Sequence, residues 1–207
     1  MLQPDAPPLV LASASAARTA ILRAAGLRFE VVAAAVDEDA VKDSARAEGF
    51  PPGEVAEMLA EAKARRVAAR RPEALVIGCD QILTCRTEAG ERWFSKPRDA
   101  LEAREHLSFL RGREHRLHTA VLCWRGGARI WTHLAVPRLL MRPFSDGFLD
   151  AYLEAERDAA TATVGAYRLE GPGAQLFDRV DGEHSAVLGL PLLPLLGFLR
   201  QHGVLGR

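Results

Sequence analysis

The run Ala74-Leu75-Val76-Ile77-Gly78-Cys79-Asp80-Gln81-Ile82-Leu83 is the most strand-like stretch of the chain. Its apolar residues are continuous instead of alternating, the pattern of a central strand covered on both faces. Asp80 alone breaks the run with a charge. A carboxylate buried there costs several kcal/mol unless it is paired, hydrogen-bonded or bound to a cation. Asp80 is therefore expected to project from the strand end into a cleft as a functional acid; the alternative is a structural, hydrogen-bonding aspartate.

Upstream of that strand, Glu54 to Arg71 reads as a long helix rich in Ala, Glu, Lys and Arg, stopped by Pro72. Lys63 sits beside its narrow apolar stripe, where it reads either as a solvated charge or as a lysine aimed at a phosphate. Ahead of the helix stands Val36-Asp37-Glu38-Asp39. Asp37 suits a helix N-cap for Ala40 to Glu48. Neighbouring acids on an extended segment point to opposite sides, so Glu38 is a separate candidate to face a metal.

Further upstream, Pro8 to Leu22 reads as a short buried strand, a Ser/Ala turn and the first turns of a helix, with Gly26 as its stop. Unpaired N–H groups at a helix start favour anions. Ser13 and Ser15 add hydroxyls, and Arg18 adds a planar cation suited to phosphate. A plain Ser-capped helix explains the same residues. A second short strand is expected at Phe29-Glu30-Val31-Val32.

Downstream, Thr84 to Trp93 reads as a surface loop or hairpin, and Lys96 precedes Pro97 in an extended conformation. Asp99 caps a helix to about Leu110. Two strands, Glu114 to Trp124 and Ala128 to Arg142, flank the turn Gly126-Gly127. In the first, Arg116 and His118 share one face; Leu117, Thr119 and Val121 share the other. His115 and His118 lack the spacing and acidic partners of a zinc site. Pro143-Phe144-Ser145-Asp146 initiates a helix through about Glu156, which leads to the glycine-punctuated block Gly165 to Ala174, suited either to close ligand approach or to simple turns. Gln175 to Val180 and His184 to Leu188 read as two strands around Asp181-Gly182, before a C-terminal helix from Leu192 to His202.

Lys+Arg and Asp+Glu both number 27 and hydrophobic residues make up 48%. These figures fit a soluble globular chain with a substantial core, and no global charge suits duplex nucleic acid. Any anion site must be local. Cys79, Cys85 and Cys123 are irregularly spaced and suit neither a disulfide framework nor a CxxC metal site. The first residues, with Pro4, Asp5, Pro7 and Pro8, do not resemble a signal peptide. The longest apolar run, Ala186 to Leu199, contains Gly189, Pro191, Pro194 and Gly197 and is too short to span a membrane. A cytoplasmic protein is expected.

Six ordered blocks carry a family resemblance: Leu11-Ala12-Ser13-Ala14-Ser15-Ala16-Ala17-Arg18, Glu61-Ala62-Lys63-Ala64, Gly78-Cys79-Asp80-Gln81, Ser95-Lys96-Pro97, Gly165-Ala166-Tyr167-Arg168-Leu169-Glu170-Gly171 and Val187-Leu188-Gly189-Leu190-Pro191. Together, from Leu9 to about Phe198, they resemble the Maf (septum-formation-inhibitor-like) nucleoside triphosphate pyrophosphatases. The resemblance implies a single domain over residues 1–207. It implies an α/β fold with an elongated mixed sheet, flanking helices and two lobes around a deep cleft, similar to inosine triphosphate pyrophosphatases. The implied activity is hydrolysis of a nucleoside triphosphate to monophosphate and pyrophosphate with Mg²⁺ or Mn²⁺, as a house-cleaning enzyme.

Carried over by position, Asp80 is the proton acceptor or metal ligand, with Glu38 as a second metal ligand. Lys63 and Lys96 stabilise charge, while Ser13, Arg18, Gln81 and Glu170 bind substrate. A homodimer is plausible by family habit; a membrane or duplex nucleic-acid partner is not expected. Ala16 and Ala17 replace the Pro and first Arg common in the family, and Leu169-Glu170-Gly171 replaces Ile-Gln-Gly. Gly78-Cys79-Asp80-Gln81 and Glu170-Gly171 look more like the 7-methyl-GTP pyrophosphatase branch. The alternative is a catalytically weak nucleotide-binding or cell-division regulatory protein on the same scaffold.

Overall fold

The structure is a computed structural model that describes Gln3 and residues 7–206. Pro4 and Asp5 lie outside the described residues. In chain order the elements are β1 (Leu9–Ala12), α1 (Ala16–Ala24), β2 (Glu30–Val31), α2 (Glu38–Ala47), α3 (Pro52–Ala68), β3 (Leu75–Thr87), β4 (Gly90–Phe94), α4 (Ala100–Leu110), β5 (Glu114–Arg125), β6 (Ala128–Ala135), β7 (Arg138–Met141), α5 (Asp146–Glu156), β8 (Phe177–Asp181), α6 (His184–Val187) and α7 (Leu192–Gln201). Short 3-10 turns fill the chain between α5 and β8.

The strands form one mixed sheet in the order β2-β1-β3-β5-β7-β8, with β4 added to β3 and β6 to β5. β1 runs parallel to β2 and β3. The pairs β3–β4, β5–β6, β5–β7 and β7–β8 are antiparallel. The expected mixed α/β architecture is present. The chain divides into two compact units: the first holds the chain up to Gln81, Thr119–Ala135 and the chain from His184, and the second holds Ile82–His118 and Val136–Glu183.

In the first unit β3 is covered on both faces, as its unbroken apolar run predicts. Leu75, Ile77 and Cys79 join Leu9, Leu22, Leu195 and Phe198 in one core cluster, which seats α1 and α7 on that side. The alternate residues Gly78 and Asp80 face α3. A Cβ at Gly78 would overlap the Ala60 carbonyl oxygen and lie 2.9 Å from Ala64 Cβ. Only glycine lets α3 settle this closely on the strand. The helix starts follow their capping chemistry: Ser15 Oγ accepts from the Arg18 amide at 3.3 Å, and Asp37 Oδ1 from the Ala40 amide at 3.1 Å. Pro52 occupies the first turn of α3, where its missing N–H costs nothing.

In the second unit Asp99 caps α4 through the Glu102 amide. Tyr152 Oη donates to the Ala166 carbonyl at 3.0 Å, and Tyr167 meets Phe177 edge-on while its hydroxyl lies 2.9 Å from His115 Nε2. The glycine-punctuated block is irregular here. Gly165 and Ala166 both adopt left-handed backbone, with φ of 79° and 62°. Arg168 then forms a two-pronged pair with Glu156, Nε to Oε2 at 2.7 Å and Nη2 to Oε1 at 3.0 Å. A Cβ at Gly173 would overlap the Arg168 backbone, so the chain closes tightly around that arginine.

The structure corrects several element boundaries. His184 to Leu188 is not a strand: His184–Val187 is the short helix α6, closed by Leu188 N–H donating to the His184 carbonyl at 3.1 Å. Its carbonyls at Ala186 and Val187 are taken by a side chain instead of a neighbouring strand. The long strand from Ala128 to Arg142 breaks before Arg138, so β6 and β7 pair with different stretches of β5. Pro137 has no N–H for a ladder. Gln175 and Leu176 lie in a 3-10 turn, and β8 begins at Phe177. The expected strand around Phe29 shrinks to the exposed pair Glu30–Val31.

Candidate active site

The close seating of α3 on β3 brings Lys63, one turn after Ala60, against Asp80, two residues beyond Gly78. Lys63 Nζ lies 2.5 Å from Asp80 Oδ1 and 2.6 Å from Glu38 Oε1, the first residue of α2. The lysine and Asp80 are buried, whereas the Glu38 side chain is 40% exposed. Asp80 Oδ2 is buried and has no hydrogen-bond partner among the described residues. Burial pushes the Asp80 carboxyl above its ordinary range, with the charges of Lys63 and Arg18 pulling against that rise.

Arg18 is the second buried cation of this unit. Its Nε donates to the Gly189 carbonyl at 2.8 Å, and its Nη1 donates to the Cys79 carbonyl at 3.1 Å and to Ser13 Oγ at 3.2 Å. Ser13 Oγ also accepts from the Ser15 amide at 3.2 Å. The Ser/Arg junction thus turns inward: one guanidinium ties α1 to the carbonyl beside Asp80 and to the loop after α6. Gln81 acts similarly, its amide nitrogen donating to Thr119 Oγ1 at 2.8 Å and to the Ala186 and Val187 carbonyls at 3.1 Å each.

Of the residues named from sequence, Ser13, Arg18, Glu38, Lys63, Asp80 and Gln81 all belong to the first unit, and Glu38, Lys63 and Asp80 touch one another in a chain. Lys96 and Glu170 belong to the second unit and are both exposed. Asp37 serves as the α2 cap while Glu38 faces Lys63, so the two acids divide the roles that the sequence left open. His118 Nε2 lies 3.1 Å from Thr84 Oγ1. The sequence reading missed Lys42, whose ammonium stands 3.9 Å from Glu38 Oε2 and whose side chain is 13% exposed. Its i,i+4 spacing from Glu38 on a capped helix was the available signal.

Among the described residues no cluster of three or more His, Cys, Asp or Glu forms a closed metal cage. Two carboxylates with one oxygen left over are the donor set by which Mg²⁺ is ordinarily held, since that ion keeps waters and takes the rest of its shell from substrate phosphates.

The family described as Maf-like protein matches residues 8–202. The chain is 52% identical over 197 residues to a nucleoside triphosphate pyrophosphatase of Granulibacter bethesdensis, covering 95% of this chain and 98% of the relative. It is 52% identical over 196 residues to a protein of the same name from Paramagnetospirillum magneticum, covering 95% and 99%. It is 47% identical over 199 residues to a 7-methyl-GTP pyrophosphatase of Rhizobium meliloti, covering 96% and 98%.

Proposed function

The chain belongs to the Maf-like protein family, and from that premise we propose that it is a nucleoside triphosphate pyrophosphatase, a hydrolase releasing nucleoside monophosphate and pyrophosphate. Relatives bearing that name align over nearly the full length of both partners. The observation that carries the chemical part of the reading is the buried Asp80, held by Lys63 through one oxygen with the other left without a partner.

In this reading Asp80 orients a water toward the α-phosphorus and accepts its proton as the α–β anhydride bond breaks and pyrophosphate departs. Lys63, already within 2.5 Å of Asp80, stabilises negative charge on the triphosphate as it develops. Arg18, with Nε and Nη1 donating to Gly189, Cys79 and Ser13, holds the Ser13 hydroxyl in place for a phosphate oxygen. Asp80 and Glu38 would hold Mg²⁺ or Mn²⁺, which when bound supplies Lewis-acid charge to the phosphates.

The base we propose is a 7-methylated guanine. Glu170 is exposed, and an ionised carboxylate only accepts, which suits the N–H edge and positive charge of such a base. The 7-methyl-GTP pyrophosphatase among the relatives supports the same choice. The test is incubation with 7-methyl-GTP, dTTP, UTP, CTP and ITP, each with Mg²⁺ or Mn²⁺, following monophosphate and pyrophosphate. Fastest turnover of 7-methyl-GTP is expected. No turnover of any would overturn the activity, and preference for a pyrimidine triphosphate would overturn the base assignment alone.

A further inference from the structure

Lys42 lies on α2 one turn after Glu38, and its side chain is 13% exposed. The packed stem brings the ammonium up beside the Glu38 carboxylate, where its head can still reach an anion. The Glu38 carboxylate at 3.9 Å is beyond hydrogen-bond length, and it is already 2.6 Å from Lys63. The charges therefore alternate along a chain: Lys42, Glu38, Lys63, Asp80. In the absence of ligand these two cations and two carboxylates balance one another.

Ligand binding disturbs that balance in a definite way. If both carboxylates turn to a divalent cation, each lysine loses negative charge that held it, and two ammonium groups then need anionic oxygens. A triphosphate supplies them. We propose that Lys42 is a phosphate-binding residue of the site, acting beside Lys63 and taking a terminal oxygen of the polyphosphate chain. This rests on the pyrophosphatase reading only for its choice of ligand; the recognition itself requires phosphates and no base. The competing explanation is an ordinary Glu38–Lys42 helix pair, which serves the fold and adds nothing to binding.

The experiment is calorimetric titration of the full chain with inorganic tripolyphosphate and Mg²⁺, comparing wild type, Lys42→Ala and Lys42→Arg at two salt concentrations. Loss of one charge-assisted contact weakens affinity about tenfold in Lys42→Ala. The salt dependence is expected to become shallower, because one fewer charge meets the ligand. Lys42→Arg keeps the charge, and its affinity is expected near wild type. A Lys42→Met variant retains the buried stem and replaces Lys42→Ala should the latter not fold. Unchanged tripolyphosphate affinity in a folded charge-removing variant, or no binding by wild type, overturns the proposal. Tenfold weakening in a protein that hydrolyses none of the nucleotide panel supports Lys42 while the pyrophosphatase reading fails by itself.

Discussion

Two buried ion pairs, one in each unit, are built on different plans. In the second unit Glu156 gives both oxygens to Arg168, at 2.7 and 3.0 Å, and glycines at 171 and 173 let the chain close around the guanidinium. In the first unit Asp80 gives one oxygen to Lys63 at 2.5 Å and leaves the other buried with no partner. Both carboxylates are buried and so must recover the hydration they lose. In the Glu156 pair a planar fork satisfies that need completely, which fixes a loop. In the Asp80 pair a point charge meets one oxygen, and the other has no partner among the described residues. A saturated pair serves the fold and an unsaturated one is available for chemistry.

The largest effect expected from breaking this contrast is in turnover. Asp80→Asn keeps the shape and removes the proposed proton acceptor, so turnover is expected to fall by about a thousandfold while the thermal midpoint moves little. An active, folded Asp80→Asn protein would sink the role given to that carboxylate. Glu156→Ala inverts the pattern. Stability drops by about 3 kcal/mol, at the low end for a broken buried pair because Arg168 still touches water. Urea denaturation measures the drop, and turnover per folded molecule of a substrate lacking the methyl group stays near wild type.

Gly78→Ala sharpens the comparison through packing. The added methyl group collides with the Ala60 backbone, so α3 must retreat from β3, costing about 2 kcal/mol. Lys63 retreats with it, and both stability and turnover fall in one variant. The smallest effect is set by pH. Burial pushes His115 down to about 4, from an ordinary 6.5. A histidine depressed in this way contributes stability that is complete above its unfolded value and is lost as pH falls from 6.5 toward 4, because the unfolded chain then binds the extra proton. By about pH 5.5 the loss is about 1.4 kcal/mol. His115→Phe removes that slope in denaturation curves taken across the window.

Much of the first unit was legible in the sequence because a single charge stood out in an apolar run. Asp80 had to be explained, and the unbroken pattern around it already implied helices on both faces. Lys63 was visible only as a lysine beside a stripe, since its partner is brought to it by the contact of Gly78 with Ala60, which no local pattern encodes. Arg18 read as a phosphate ligand. Its binding to the Gly189 carbonyl, 171 positions away, depends on long-range closure. The misreading at His184 to Leu188 has a plain cause: a run that short fits a strand or a helical turn equally, and Gln81 and Thr119 decide the matter by hydrogen-bonding the Ala186 carbonyl. The Glu156–Arg168 pair could not be anticipated, because irregular backbone separates its members.

The guanidinium of Arg18 also governs when the site can exist. It joins the first helix to a carbonyl at Gly189, and the unit holding Asp80 takes in everything from His184 onward, whereas the other unit is complete by Glu183. A contact spanning 171 positions closes late in folding, because a long loop must be ordered before the contact rewards it. The surroundings of Asp80 are therefore among the last parts of the first unit to become fixed, and local helices and hairpins form ahead of them.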